Sequence, residues 1–237
     1  MKKFLLMFIC SLLLMGNLSA GNFTYQVDLT SRYIFRGMDI LFNNKPAIQP
    51  SVTYNFGNSG FSFNAFASFC LTDRSIFKYT DEIDLTLTYI FKTPEKYSLL
   101  VGFQNYGFFF AKDFTFKNNT TQEFFVEAGL PKVLFSPKLG IYWDINLGDG
   151  FYFQLSGIHA VKINEKINLE FTARLGYNAG QWIPKEADGG LNDLTLGAAL
   201  PFKLDNVTIS PFFRCAVVFL EDINKDNEFW GGISIIF

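Results

Sequence analysis

Apolar and polar side chains alternate along this chain with a period of two, and one of the two faces carries almost no charge. From Phe23 to Phe35 the odd positions read Phe23, Tyr25, Val27, Leu29, Ser31, Tyr33 and Phe35. The even positions beside them are Thr24, Gln26, Asp28, Thr30, Arg32, Ile34 and Arg36. Such alternation marks β-strands with one apolar and one wet face. It recurs eleven more times, predicting strands at 46–56, 61–72, 79–91, 97–106, 121–130, 138–147, 151–161, 167–178, 193–200, 207–220 and 228–237.

The connections alternate as well. One set is short (57–60, 92–96, 131–137, 162–166, 201–206); the other is mostly longer (37–45, 73–78, 107–120, 179–192, 221–227), with Gly148-Asp149-Gly150 its one short member. An even strand number, both termini on one side, short turns there and longer loops opposite is the layout of a bacterial outer-membrane barrel. The termini and short turns are then expected to face the periplasm.

A soluble β-sandwich also alternates, so charge has to decide. Across nearly 70 positions on the apolar face there is one acid, Asp81, and no Lys or Arg. A charge facing lipid at mid-depth costs roughly 2–4 kcal/mol, which accounts for so clean a face. The chain also holds 30 Phe and 10 Tyr against 18% charged residues. No apolar run beyond the N-terminal one reaches the roughly 18 residues of a membrane helix. The predicted fold is all-β, a transmembrane antiparallel up-and-down β-barrel of about 12 strands, forming one domain over 21–237.

Residues 1–20 read as a cleaved signal peptide: Lys2 and Lys3, an apolar run from Phe4 to Met15, then Leu18-Ser19-Ala20 before Gly21. Cys10 lacks the small preceding residues of a lipid-attachment site. Cys70 and Cys215 fall on strands four steps apart, about 19 Å along a wall at roughly 4.8 Å per step. A disulfide needs Cα atoms about 5.5 Å apart, so both are expected as free thiols. A net charge of −2 implies no nucleic-acid partner. The last strand alternates Phe229, Gly231, Ile233, Ile235 and Phe237 to its aromatic end, which reads as the signal used by the barrel assembly machinery.

The stretch Leu29-Thr-Ser-Arg-Tyr-Ile-Phe-Arg-Gly37, followed by Asn44-Lys45-Pro46-Ala47-Ile48-Gln49, resembles the opening hairpin of the TorF family of porin-like proteins. The matching residues are Ser31, Tyr33, Phe35, Arg36, Gly37, Pro46, Ala47 and Gln49. Glu82-Ile83-Asp84-Leu85 is similar to that family's acidic strand, whereas Pro50-Ser51-Val52 departs from its small residues and glycines. The resemblance implies a porin-like barrel and names no substrate. Gly37 suits a strand exit at positive φ. Pro50 and Pro211 have no free edge to occupy in a closed barrel, so each is expected at a bulge or near a rim.

The wet face supplies the candidate lumen residues Asp28, Arg32, Arg36, Glu82, Asp84, Glu127, Asp144, Glu170, Arg174 and Arg214, with Glu123, Lys138, Asp193 and Glu228 beside them. Nine acids against five bases predict a mildly cation-attracting lumen. Arg32, Glu127, Asp144, Arg174 and Arg214 are expected near mid-depth, where charges either select a solute or pair to fill the barrel. Tyr33, Tyr79, Tyr89, Phe91 and Tyr177 are expected in interfacial aromatic girdles. The one histidine, His159, lies in phase with the lipid face and opposite Ser156, which leaves no Ser–His pair. Glu82 and Asp84 read as lumen residues rather than a protease's acidic pair, and Glu221 to Asp226 as a solvated loop rather than a calcium site. No cofactor or metal is implied. The expected function is an outer-membrane channel for passive diffusion of small hydrophilic solutes, with outer-membrane lipid around it. The alternative is a non-conducting barrel with a structural or surface-contact role through loops 107–120 and 179–192; a lipid hydrolase or protease ranks last.

Overall fold

Twelve of the alternating stretches become wall strands in the computed structural model, which describes residues 21–72, 82–108 and 119–237. They are β1 (Asn22–Thr30), β2 (Ala47–Asn55), β3 (Phe61–Cys70), β4 (Glu82–Ile90), β5 (Ser98–Phe108), β6 (Thr120–Gly129), β7 (Lys138–Asp144), β8 (Gly150–Lys162), β9 (Asn168–Ala179), β10 (Gly190–Ala199), β11 (Val207–Val218) and β12 (Glu228–Ile236). Each pairs antiparallel with its sequence neighbours, and β1 with β12 closes the ring from Gln26↔Ile236 to Thr30↔Gly232. Closure removes the sheet edges that an open sheet would leave unpaired. Residues 1–20, Tyr79, Asp81 and much of the loops 73–78 and 107–120 lie outside the described residues.

The apolar face points outward. Leu85, Val101, Leu155, Leu175, Leu196 and Ile233 are exposed there, and no outward position of the twelve described strands carries Asp, Glu, Lys or Arg. Aromatic rings collect at both ends of this band. On the short-turn side Tyr54 meets Phe56 at 4.7 Å, Phe61 meets Tyr89 at 4.7 Å and Tyr89 meets Phe91 at 4.9 Å. On the long-loop side Phe124, Trp143, Phe151, Phe153 and Tyr177 run ring to ring across β6–β9. Amphipathic rings at two levels flanking an apolar band are what the membrane interfaces favour.

Two of the wall's irregularities differ from expectation. Pro50 sits at no bulge: β1 pairs through it, Val27↔Pro50, and register with β3 is the same before and after it. The missing N–H interrupts only the β2–β3 ladder, where Gln49 Nε2 donates across to Ser68 Oγ at 3.1 Å. Pro211 lies beside the break at Leu200-Pro201, where its carbonyl accepts from Leu200 N at 2.9 Å. Beyond that break Phe202–Leu204 resumes pairing with β11, so the turn shrinks to Asp205-Asn206. The one register shift among the named strands falls elsewhere, between Gly176 and Tyr177 on β9, opposite Asn192.

Cys70 and Cys215 stand on β3 and β11, four strand steps apart around the ring, and are not bonded to each other. His159 faces outward, its ring 5.2 Å from Phe135, while Ser156 faces inward.

Candidate functional site

The first strand ends at Thr30, not Phe35, and the chain turns into the barrel. Residues 31–46 fold back inside, with a two-residue ladder pairing Ile34↔Asp39 and Phe35↔Met38. Tyr33, expected in a girdle, therefore faces protein: it packs on the buried Leu41, Ala47 and Cys70 and lies 6.2 Å from Phe66. Phe35 meets Tyr106 edge-on at 5.8 Å. The motif that reads as a strand end is an internal loop.

Arg36 carries that loop across the lumen. Its guanidinium makes a two-point ion pair with Glu123 on β6, Nη1 to Oε2 at 2.6 Å and Nη2 to Oε1 at 2.9 Å. It also donates to Gln181 Oε1, and the Phe35, Tyr142 and Tyr152 rings stand 4.5–4.7 Å from it. Charge-assisted two-point bonding and ring contacts are what a desolvated guanidinium needs to be held. Burial alone would push the group toward losing its proton; Tyr106 and Glu123 outweigh that and keep it charged. Glu123 is in turn saturated by Tyr106 OH at 3.1 Å and Gln181 Nε2 at 2.8 Å.

Backbone bonds hold the same turn. The bulge on β10 delivers both Asn192 and Asp193 to the interior, each fully buried. Asn192 Nδ2 donates to the Arg36 carbonyl at 2.8 Å and to Asp193 Oδ1 at 2.9 Å. Asp193 also accepts from Tyr152 OH at 2.8 Å and Thr195 Oγ1 at 2.8 Å. Asn224 Nδ2 reaches the Gly37 carbonyl at 3.1 Å. Gly37, at φ +81°, makes the turn itself in a region costly for other residues.

The other candidates sort by depth and by partner. Arg32 has left the wall with the loop and pairs with Glu228 at 2.5 Å. Asp144 ends β7 at the rim, where Oδ1 accepts from Thr121 Oγ1 at 2.6 Å and Gly148 N at 2.9 Å; it belongs to the turn. Glu127 lies toward the short-turn end, bonded to Lys138 Nζ at 2.7 Å and Tyr142 OH at 2.5 Å. Of the five residues expected at mid-depth, Arg174 and Arg214 occupy it. Glu82 and Asp84 are buried on β4 beside Tyr33; burial first, then those two acids, push its phenol well above the usual range. Asp28 accepts Gln26 Nε2 at 3.0 Å on both oxygens, and Glu170 is half-buried on β9.

Among the motif residues, Ser31 Oγ accepts from Gly231 N at 3.1 Å, the Pro46 carbonyl accepts from Leu71 N at 2.9 Å, and Ala47 opens β2 in full burial. Phe237 follows β12, its N–H donating to the Tyr25 carbonyl at 2.9 Å. The sequence pattern does not single out Gln181, Asn192, Tyr106, Tyr142 or Tyr152, nor Asn178, whose Nδ2 donates to the Gln181 carbonyl at 2.8 Å and whose Oδ1 accepts from Gln181 N at 2.8 Å. Gly180-Gln181-Trp182 just after a strand was the available hint.

The loop leaves a cavity on each side. Toward the long loops, about 540 Å³ is lined by residues including Tyr33, Asp39, Asn44, Trp182 and Glu228. Toward the short turns, about 440 Å³ is lined by residues including Ile34, Lys138, Arg174, Arg214 and Trp230. Six of the nine wet-face acids (Glu82, Asp84, Glu123, Asp144, Asp193 and Glu228) are at most 3% exposed, so a count by sign does not describe the charge a solute would meet.

Comparison with solved structures finds the same barrel. The chain is similar to the NanC porin in its rhombohedral crystal form (TM-score 0.57, 10% identity, 90% of this chain and 98% of that one). It is likewise similar to the KdgM porin (0.56, 11%, 90% and 98%) and to the KdgM porin in complex with disordered oligogalacturonate (0.54, 11%, 92% and 98%). At such identities the likeness is one of fold. No curated protein matches the chain. The profile of Gcw_chp, described as a bacterial protein of unknown function, matches residues 15–205, a span that includes the Ser31–Gln49 motif. The chain belongs to that family.

Proposed function

We propose that this Gcw_chp member is an outer-membrane channel for passive diffusion of small hydrophilic solutes, its lumen narrowed by the 31–46 loop. The observation that carries the reading is the pair of cavities, about 540 and 440 Å³, left inside the barrel on either side of the loop. A barrel serving only as a scaffold would be expected to fill its interior with paired side chains, as small barrels do. Here the densest bonding is in the layer around Arg36, and open space remains above and below it beside the Arg32–Glu228 and Glu127–Lys138 pairs. The charge-free outward band fits surrounding lipid. The N-terminal 1–20 stretch fits export and cleavage, and the terminal Phe237 strand fits insertion by the barrel assembly machinery. The reading includes no catalytic step: His159 points outward, and Ser156 faces inward.

Refolded protein in planar bilayers tests the proposal, with discrete current steps expected. Absence of current at every voltage and salt concentration overturns it. A second reading, a non-conducting barrel with a surface-contact role, is favoured by one observation, the complete bonding of the Arg36 layer. It predicts a silent wild type and a conducting Arg36→Ala variant.

A further inference from the structure

We infer that Arg174 and Arg214 form an oxyanion-binding site inside the barrel, and that the solutes it selects carry a carboxylate or phosphate group. The inference rests on the channel reading and supplies its solute class. It starts from register. Arg174 lies opposite Thr195 on β10, and Arg214 opposite Gly197, two residues further along the same strand. Residues two apart on a strand share a face, so both arginines turn into the lumen across one intervening strand. Gly197 contributes no side chain between them. A Cβ built there would come 2.5 Å from Thr172 Oγ1 and 3.2 Å from Arg214 Cγ, so the glycine lets Thr172 and the Arg214 stem pack directly over the intervening strand.

Neither cation has an ion-pair partner closer than 3.9 Å among the described residues. Arg214 makes no ion pair among the described residues, and its guanidinium rests 4.8 Å over the Phe212 ring. Arg174 reaches Asp193 only at 3.9 Å and Thr195 Oγ1 at 3.2 Å, while its buried Nε has no hydrogen-bond partner. Asp193 is already occupied by Tyr152, Asn192 and Thr195. Nearby, Glu127 is matched by Lys138, while Asp28, bonded only by the neutral Gln26 amide, offsets the Arg214 charge in part. Two neighbouring positive charges in a partly dry cavity hold a positive potential, which a low-dielectric wall concentrates.

The chemistry of the surroundings sets the ligand. A guanidinium presents a planar fork that matches carboxylate and phosphate oxygens two at a time. Ser156, Thr172 and Thr195 add hydroxyls around the cavity, and Trp230 gives it an apolar wall. Ile34 of the internal loop closes it above. An anion in this cavity would meet both arginines, and with them Glu170, four residues nearer the short turns on β9, and Asp28, neither of which has an ion pair among the described residues.

Two measurements on the refolded full barrel test this and separate it from the channel reading. In detergent, calorimetric titration with sodium gluconate and with inorganic phosphate should show saturable binding, and sorbitol none. Arg174→Gln with Arg214→Gln should weaken anion binding by at least about tenfold, the loss expected when charge-assisted bonds go. Arg174→Lys with Arg214→Lys should retain part of it. Heat-modifiable mobility on gels confirms that each variant is folded. In bilayers under a potassium chloride gradient, the reversal potential should indicate anion preference in the wild type and shift toward none in the double Gln variant. Wild-type protein that binds neither anion, or a double Gln variant that binds both unchanged, overturns the site. Binding without current upholds the site and overturns the channel; current without anion preference or binding does the reverse.

Discussion

Arg36 and Glu123 are joined by two hydrogen bonds, at 2.6 and 2.9 Å, although the loop bearing the arginine leaves the wall between β1 and β2 and the glutamate stands on β6, more than a third of the circumference away. Both are almost fully buried. Removing one partner of such a pair leaves the other charge desolvated and costs about 3–5 kcal/mol. Arg36→Ala and Glu123→Gln should therefore each destabilise the barrel by about that amount in urea titrations in lipid vesicles. Arg36→Ala combined with Glu123→Gln should lose clearly less than the sum of the two, because residues in one network are not additive. Single-channel conductance of Arg36→Ala should rise, since the loop loses its far attachment. Conductance equal to wild type would show that the loop stays in place without its anchor.

The bulge at Asn192 yields a second expectation. Asn192→Ala removes the donor to the Arg36 carbonyl and leaves that buried acceptor unpaired, at a cost of about 1–3 kcal/mol. Deleting Asn192 restores regular alternation between Leu191 and Asp193, so the wall should still close, with a similar loss of stability. Heat-modifiable mobility reports closure and urea midpoints report the loss. A deletion variant no less stable than wild type would remove the bulge's role as a clamp.

Where wall and lipid decide the pattern, the sequence is readable, and where two protein surfaces meet inside, it is not. Strand β9 could be placed within a residue because Phe171, Ala173, Leu175 and Tyr177 face outward and Thr172, Arg174 and Gly176 inward, a period two that runs unbroken along the strand. Ser31, Tyr33 and Phe35 continue the same period past Thr30, but there the apolar face rests on Leu41, Phe66 and Tyr106. Alternation reports that one face is apolar, not what covers it. The anchor was half legible: Arg36 and Glu123 stood out as charges, while Gln181, Asn178 and Asn192 are neutral residues whose roles depend on a bulge and a tight turn. Counting charges also leaves out burial, which takes six of the nine wet-face acids to at most 3% exposure.

Gly37 isolates the backbone contribution of the turn. At φ +81° an added Cβ would lie 3.4 Å from Asp193 Cβ and Val218 Cγ2, ordinary contact distances. The cost of Gly37→Ala is then conformational, about 1–2 kcal/mol for a left-handed residue. Gly37→Asn should cost less, as asparagine tolerates that region. Urea midpoints for the two variants should rank in that order; equal stability of wild type and Gly37→Ala would mean that the turn relaxes freely.

Lipid contact itself is testable by depth. Leu196 is 45% exposed at the middle of β10, between outward Ala173 on β9 and Cys215 on β11. Tyr177 is 49% exposed but near the long-loop end of β9, in the aromatic girdle. If hydrocarbon covers Leu196, arginine there costs roughly 2–4 kcal/mol, whereas arginine at Tyr177 costs about 0–1 kcal/mol because it reaches the interface. In water the two sites, equally exposed, would respond alike. Urea titrations of Leu196→Arg and Tyr177→Arg in vesicles should separate by about 2 kcal/mol or more on those figures. Equal losses, or a mature chain that stays monomeric and compact in buffer without detergent, would mean that another protein layer covers this face.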